Sequence, residues 1–208
     1  MKELPDPWLS VYAERREAIR LRLDDFSNIA PTDYFYELLF CILTPQSSAK
    51  NADAVIAKLK KDKFLELGFD PVPYLRDPKN YIRFHNVKSK RLLHIRTIYH
   101  ELPPIILNDR SDVKKLREKV LQQIPGLGLK ESSHFLRNIG IRGLAILDRH
   151  ILKHLKSLKI IGRIPSSLTP KRYFAIEKKW LKYSSEVGIP MDELDLLFWS
   201  METGEIRK

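Results

Sequence analysis

Thiols are almost absent from this sequence, which holds a single cysteine, Cys41, among its 208 residues. One thiol excludes an intrachain disulfide framework, and it excludes zinc or iron–sulfur sites that need several thiolates. Long apolar runs are also missing, since no stretch approaches the ~20 residues of a membrane helix. The N-terminal stretch MKELPDPWLS lacks the charged and apolar regions of a secretory signal. We therefore expect a soluble, intracellular protein of the cytoplasm.

Positive charge exceeds negative charge in this chain. The 37 lysines and arginines outnumber the 26 aspartates and glutamates and give a formal net charge of +11. Such an excess favours a polyanionic partner, although a basic protein with solvated lysine-rich faces has the same balance. Hydrophobic residues make up 43% of the chain, which is too apolar for a disordered basic tail and enough for a packed core.

Helical periodicity runs through nearly the whole sequence. Residues 34–43 are apolar on every side except at Glu37, which predicts a buried central helix. Thr169-Pro170 is a typical helix start, and Gly188 is a typical residue just beyond a helix end. We count roughly ten helices and no convincing pair of alternating strands. The sequence therefore predicts an all-α protein.

Two further segments are interpreted from the same signals. Residues 68–78 hold three prolines and are predicted to form a loop. The spacing of Val87, Leu92 and Ile95 predicts a helix after this loop. The densest basic stretch of the chain lies in that helix and consists of Lys88, Lys90, Arg91 and Arg96. We interpret it either as a solvated helix face or as a set of phosphate contacts.

The segment IPGLGLK, residues 124–130, joins two helical patterns. Its two glycines, Gly126 and Gly128, permit a tight backbone reversal and leave no side chain between the backbone and a partner. The N–H groups of such a turn, at the start of a helix, can hold a phosphate without any base being read. An ordinary connection between two helices is the alternative interpretation of the glycines alone.

Lys130 follows this turn directly and lies in the first turn of the next predicted helix. The helix macrodipole disfavours a cation at this end, so an ordinary surface lysine is misplaced there. The same field favours the neutral amine, which is the form that attacks carbon. Lys130 is therefore a candidate nucleophile.

Asp148 ends the apolar run GLAIL and precedes the helical pattern of Ile151, Leu152 and Leu155. The simplest interpretation is that Asp148 caps the N-terminus of this helix. A capping aspartate accepts backbone N–H bonds, which hold its carboxylate ionised and fixed. A fixed negative charge is also what a developing sugar cation needs nearby, so the two roles are compatible.

These residues together resemble a known signature. The run IPGLGLK, followed 18 residues after its lysine by Asp148, resembles the helix–hairpin–helix motif of the base-excision DNA glycosylase superfamily. In particular, the chain resembles the archaeal-type 8-oxoguanine DNA glycosylase/lyase family in its length, in its lack of an added β-domain and in its ending from Leu194 to Lys208. The endonuclease III-like branch carries a four-cysteine iron–sulfur cluster, which a chain with one cysteine cannot hold.

The resemblance implies a bifunctional reaction on double-stranded DNA that contains 8-oxoguanine. It implies that Lys130 attacks C1′ of the deoxyribose and that Asp148 offsets the positive charge as the glycosidic bond breaks. The resulting Schiff base permits β-elimination, which cuts the strand. It further implies that backbone groups of Gly126, Leu127 and Gly128 hold a phosphate near the lesion. We expect no metal, no cofactor and a monomeric protein.

Two aromatic residues are the candidates for the walls of a base pocket. The resemblance implies that Trp199 stacks on the extruded base, with core packing beside Leu197 and Phe198 as the alternative. Phe84 is the candidate for the opposite wall, and the alternative is a core residue at a helix entry.

Two polar residues complete the candidate site. The stretch Thr44–Ser48 resembles the segment with which these enzymes place a polar residue into the DNA, and Gln46 is our candidate for that residue. A helix-capping or solvent-facing amide is the alternative for Gln46. The terminal Lys208 matches a lysine that, in this family, takes part in distinguishing oxidised guanine from guanine.

The predicted organisation is two helical subdomains with the active-site cleft between them. Residues 31–140 are expected to form a helical bundle that ends in the helix–hairpin–helix, and residues 1–30 plus 141–208 are expected to form the second subdomain. Two other functions stay open on the sequence: a related glycosylase for another base lesion, and a non-catalytic DNA-binding hairpin. His150 and His154 have the spacing of helical zinc ligands but lack the glutamate of HExxH.

Overall fold

The computed structural model describes residues 2–108 and 110–207, whose regular secondary structure is helical, with no strand among them. They contain twelve α-helices and three short 3₁₀ turns. The α-helices, in chain order, are α1 (Trp8–Ser27), α2 (Tyr34–Leu43), α3 (Ala49–Lys61), α4 (Phe64–Leu67), α5 (Val72–Arg76), α6 (His85–Ile98), α7 (Leu102–Asn108), α8 (Val113–Gln123), α9 (Leu129–Asn138), α10 (Arg149–Ser157), α11 (Pro170–Val187) and α12 (Met191–Thr203). The predicted all-α class is confirmed.

The chain divides into two compact units. The described residues of Met1–Ile29 and Leu136–Lys208 form one unit, and those of Ala30–Phe135 form the other. The predicted subdomains, 31–140 and 1–30 plus 141–208, have boundaries close to this division. The difference at the second boundary arises because α9 runs through it, so that the turn before α9 belongs to one unit and the last residues of α9 belong to the other.

The unit Ala30–Phe135 is built around α2. All ten residues of this helix are buried, including Glu37, and the helix contacts α3 and α6. Since an element that is apolar on every side has to be surrounded by other elements, the predicted central position of residues 34–43 is confirmed. The helix ends at Thr44, and the chain then turns through Pro45 and Gln46 into α3.

The other unit is built around α12. Eight successive residues, Met191–Phe198, are buried, and α12 contacts α1, α10 and α11. Thr169 caps α11 by accepting a bond from the Arg172 N–H, with Pro170 at the first helical position, and Gly188 ends α11 in a left-handed conformation. Both predicted helix ends are therefore confirmed.

Two sequence interpretations need correction. Residues 68–78 contain a short helix, α5, because Pro71 and Pro73 lie at positions where a helix start tolerates proline. Val87 is 53% exposed, and the buried face of α6 is formed instead by Lys88 with Leu92 and Ile95. Among the described residues, the longest and most apolar helices still fall short of what crossing a bilayer requires.

Gly140, just beyond α9, supports a stability prediction. Its φ is +84°, and a Cβ there would lie 2.7 Å from the Ser27 Cα. Gly143 has a similar φ of +90°, but nothing lies within 4 Å of its Cβ position. Gly143→Ala should therefore cost about 1–2 kcal/mol from backbone strain alone, whereas Gly140→Ala should cost clearly more because backbone has to move. Urea unfolding followed by circular dichroism measures both, and equal losses would contradict the packing argument.

Candidate active site

The hairpin between α8 and α9 is a tight turn. Ile124 is extended after α8, Gly126 has a φ of +79°, and α9 begins at Leu129. The Leu127 N–H donates to the Ile124 carbonyl over 3.2 Å, and the Leu127 side chain is buried, which anchors the turn in its own unit. The reversal that the sequence predicts at the first glycine is therefore present.

The two glycines of the hairpin have different surroundings. A Cβ on Gly126 would be strained by the positive φ and would lie 3.2 Å from the Arg91 guanidinium carbon. Gly128 does not have a positive φ, but a Cβ there would lie 2.6 Å from a carboxylate oxygen of Glu131. The turn therefore places one cation and one carboxylate directly against its backbone.

Lys130 is the second residue of α9, as its sequence position predicts. Its side chain is 24% exposed, and its Nζ lies 3.7 Å from Oε1 of Glu131. The amine is therefore reachable from solvent and has a proton acceptor beside it. Lys130 is therefore a part-exposed lysine at a helix N-terminus that is ion-paired with Glu131. Its role as the nucleophile stays a prediction.

Asp148 is held by three N–H donors within its unit. Its Oδ1 accepts bonds of 2.8 Å from the backbone N–H groups of His150 and Ile151, which is the N-cap of α10. Its Oδ2 accepts a bond of 3.0 Å from the indole Nε1 of Trp199. The capping role is confirmed, and the indole bond fixes the second oxygen as well. These donors stabilise the negative charge and hold the half-buried carboxylate in one orientation.

Trp199 differs from its neighbours in α12. Leu197 and Phe198 are fully buried, whereas Trp199 is part-exposed and points its Nε1 at Asp148. The His150 ring meets the indole edge to face, with 6.1 Å between the ring centroids. Trp199 is therefore less buried than its two neighbours, and its indole nitrogen is hydrogen-bonded to the carboxylate. Its stacking on a base stays a prediction.

Gln46 and Phe84 share two properties. Both are exposed, Phe84 to 49%, and both are non-glycine residues with a left-handed backbone, at φ values of 58° and 60°. Phe84 precedes α6 and lies under the Arg83 guanidinium, 5.1 Å from the ring centroid. The core alternative for Phe84 is therefore wrong. The capping alternative for Gln46 is wrong too, because Ser48 is the residue at the start of α3.

The two histidines of α10 both face one carboxylate. Nδ1 of His150 lies 3.4 Å from Glu202, and Nε2 of His154 lies 3.3 Å from it. Trp8 donates its indole N–H to Nδ1 of His154, and burial lowers the pKa of this imidazole. A bond from Lys153 lowers the pKa of Glu202. Within residues 2–108 and 110–207, no three histidine, cysteine or acidic side chains are arranged to hold a metal ion.

The candidate residues fall into two groups. Asp148 and Trp199 are in contact in one unit, whereas Gln46, Phe84 and Lys130 belong to the other. Lys208 lies outside the described residues. The sequence places Lys88 in a basic stretch that is interpreted as solvated or as contacting phosphates, and this interpretation is wrong for Lys88, which is buried beside the Gln46 turn. Its signal was available, since Lys88 has helical spacing with Leu92 and Ile95 and therefore falls on the buried face of α6.

Comparisons with known proteins show what this chain is similar to. The family model described as 8-oxoguanine DNA glycosylase matches residues 19–189. A protein of Fusobacterium nucleatum named 8-oxoguanine DNA glycosylase/AP lyase is 43% identical over 207 residues, covering 95% of this chain and 94% of that protein. A protein of the same name from Methanocaldococcus jannaschii is 32% identical over 201 residues, covering 94% of each.

Solved structures are similar over nearly the whole chain. The Methanocaldococcus jannaschii 8-oxoguanine glycosylase/lyase, in complex with a 15mer DNA containing 8-oxoguanine, has a TM-score of 0.84 at 29% identity, and the match covers 96% of this chain and 98% of that chain. The 8-oxoguanine DNA glycosylase of Thermotoga maritima has a TM-score of 0.84 at 28% identity, and the match covers 97% of this chain and 96% of that chain. The resemblance seen in the sequence is confirmed, and this chain belongs to the 8-oxoguanine DNA glycosylase family.

Proposed function

We propose that this protein excises 8-oxoguanine from double-stranded DNA and then cuts the strand at the abasic site. The observation that carries the proposal is Lys130, a part-buried lysine in the first turn after a glycine hairpin. It stands in a chain that is 43% identical, over nearly its full length, to a relative named as a glycosylase/AP lyase. A purely DNA-binding hairpin could use Lys130 as a phosphate contact, but it has no use for the fixed carboxylate of Asp148.

Lys130 supplies the nucleophile in this proposal. Its neutral Nζ bonds to C1′ as the bond from C1′ to the base breaks, and the base leaves with the electron pair. The sugar ring then opens, O4′ takes the electrons of its bond to C1′, and a protonated Schiff base remains. Loss of a C2′ proton expels the 3′ phosphate and cuts the strand. Glu131, 3.7 Å from Nζ, is placed to accept a proton from the amine before attack.

Asp148 supplies the negative charge that the sugar needs. Positive charge develops on the sugar as the bond to the base breaks, and a carboxylate that is already fixed stabilises it without reorganising. The bonds from His150, Ile151 and Trp199 support this role, because they hold both carboxylate oxygens. The N-cap and the electrostatic role therefore belong to the same carboxylate.

DNA is held, in this proposal, by the hairpin and by the exposed residues. The backbone N–H groups around Gly126 and Gly128 bind a phosphate, while the Leu127 N–H is already used within the turn. Phe84 and Trp199 stack on the extruded base, and Gln46 fills the gap that the base leaves. Lys208 takes part in base selection.

Base selection has a simple physical origin. Oxidation turns N7 of guanine from an acceptor into an N–H donor, so a protein acceptor at that position selects the lesion. Undamaged guanine would leave two acceptors facing each other, at a cost of about 1–3 kcal/mol.

Borohydride reduction tests the covalent step. The wild-type protein, mixed with a duplex containing 8-oxoguanine, should form a protein–DNA adduct because the Schiff base is reduced to a stable amine. Lys130→Gln should abolish the adduct, seen as a shifted band on a denaturing gel. Lys179→Gln, an exposed lysine of α11, is the matched control and should retain it. An adduct that persists in Lys130→Gln would remove Lys130 from the chemistry.

Asp148→Asn separates charge from capping. Asparagine caps helices as well as aspartate does, so the variant should fold and bind the lesion duplex normally. Its single-turnover excision rate should fall by about 100-fold or more, because the charge that stabilises the sugar cation is lost. Asp112→Asn is the matched control, since Asp112 caps α8 through a 3.0 Å bond from the Lys115 N–H. Normal excision by Asp148→Asn would contradict the electrostatic role.

Trp199→Phe keeps an aromatic ring but removes the N–H that holds Asp148. Hydrogen bonds to charged groups contribute about 1.5–3 kcal/mol, so the excision rate should fall by roughly tenfold or more while affinity for the lesion changes less. The same substitution made in Asp148→Asn should slow that variant little further, since the carboxylate it orients is gone. Independent, multiplying losses in single-turnover assays would show that Trp199 does not act through Asp148.

A further inference from the structure

One buried charge is not used by the proposed reaction. Lys88 is only 5% exposed, and it lies on the face of α6 that also carries Leu92 and Ile95. Burying an ammonium is costly unless its charge and its N–H donors are matched by acceptors. A methionine or leucine would fill the same space without this cost. The contacts of the Lys88 ammonium therefore have to explain why a lysine is present.

The ammonium of Lys88 is bound by three oxygens of a single segment. Nζ donates to the Leu43 carbonyl over 2.6 Å, to the Pro45 carbonyl over 2.7 Å and to Oγ of Ser47 over 3.2 Å. Leu43 is the last residue of α2, so the cation also lies at the favourable end of that helix dipole. All three donors are therefore used, and all three fix the turn that contains Gln46.

The same network reaches a second segment. Oγ of Ser47, besides accepting from Lys88, accepts a 3.0 Å bond from the backbone N–H of Arg83. Arg83 directly precedes Phe84. Lys88 lies in α6, one helical turn after Phe84. The ammonium is thus bonded to the turn of Gln46 and linked, through one hydroxyl, to the backbone beside Phe84.

Both segments need such a support. Gln46 and Phe84 have left-handed backbones, at φ values of 58° and 60°, which non-glycine residues adopt only when their surroundings compensate the strain. Their side chains are exposed and give little packing of their own. The hydroxyl of Ser47 joins the two strained segments, because it accepts one bond from the Lys88 ammonium and one from the Arg83 N–H.

The charge of Lys88 persists at neutral pH. Burial lowers the pKa of its ammonium to about 8, and the nearby cations Arg91 and Lys130 act in the same direction. At pH 7 roughly nine-tenths of the molecules therefore still carry all three donors. The proximity of Lys130 also puts this network close to the proposed nucleophile.

We propose that Lys88 is a positioning residue, whose buried ammonium holds the Gln46 turn and the backbone at Arg83-Phe84 in the arrangement that engages an extruded oxidised guanine, without touching the DNA itself. This inference rests on the proposed function. It predicts that Lys88 affects how the protein distinguishes a lesion from undamaged DNA and not how strongly it binds DNA in general.

The test compares three variants of the full chain on lesion-containing and undamaged duplexes. Lys88→Met keeps the length of the apolar stem and removes the ammonium. Ser47→Ala keeps Lys88 with both of its carbonyl bonds and removes the hydroxyl that accepts from Lys88 and from the Arg83 N–H. Lys90→Met, on the exposed side of the same helix, removes an equal charge. Affinities and single-turnover excision rates are measured well below each unfolding midpoint, with folded protein verified by circular dichroism.

We expect Lys88→Met to lose lesion affinity by at least about tenfold, or about 1.4 kcal/mol, while its affinity for undamaged DNA stays within about twofold. Ser47→Ala should show the same selective loss at a smaller size, and it decides the question if Lys88→Met does not fold. Lys90→Met should change both affinities by the same factor, as expected for the loss of a surface charge.

Two results would overturn the inference. Equal losses on both duplexes in Lys88→Met would make Lys88 an ordinary phosphate contact, and wild-type discrimination in a folded Lys88→Met or in Ser47→Ala would make the network purely structural. Failure of the proposed function is distinguishable from either, because it would appear in the wild-type protein as an absent lesion preference and an absent borohydride adduct.

Discussion

Every helix ends with backbone groups that have no partner inside the helix, and this constraint decides where the functional side chains of this protein lie. The N–H groups at the start of α10 are satisfied by Asp148, and the carbonyls after the end of α2 are satisfied by Lys88. The start of α9 follows the turn at Gly126 and carries Lys130. In the proposed function, the carboxylate that caps α10 and the amine at the start of α9 take part in the reaction, whereas the Lys88 ammonium only holds the segments that it binds.

Asp148 shows how one residue can stabilise a helix end and also serve in the proposed reaction. The Asp148 carboxylate caps α10 with one oxygen and receives the Trp199 indole N–H on the other, so its orientation is set by backbone and side chain together. An amide can replace the cap but not the charge, whereas an alanine would remove both. Substitutions that keep the hydrogen-bonding shape of a side chain are therefore the informative ones in this protein, because larger changes mix stability with catalysis.

Much of the fold follows from local patterns in the sequence. The all-apolar run of α2 requires burial, the Asp148 cap follows from an aspartate before a helical pattern, and Gly188 marks the end of α11. Val87 and Lys88 show where such reasoning fails. Hydrophobicity predicts that Val87 is buried and that Lys88 is exposed. Instead Val87 is exposed, and Lys88 is buried because three oxygens of the turn after α2 accept hydrogen bonds from its ammonium. Tertiary acceptors of this kind cannot be read from composition or spacing.

The candidate site also shows what the sequence can and cannot predict. The hairpin, Lys130 and Asp148 form a local signature, and their sequence positions alone were enough to select them. Trp199 and Phe84 had two interpretations each, and their exposure could not be read from the sequence. Leu197 and Phe198 are buried while Trp199 is part-exposed, and Phe84 is half exposed on a left-handed backbone. An aromatic side chain that gives up burial, and a backbone that accepts strain, both forgo stability. Exposed aromatic side chains and strained backbone positions of this kind indicate where a ligand binds.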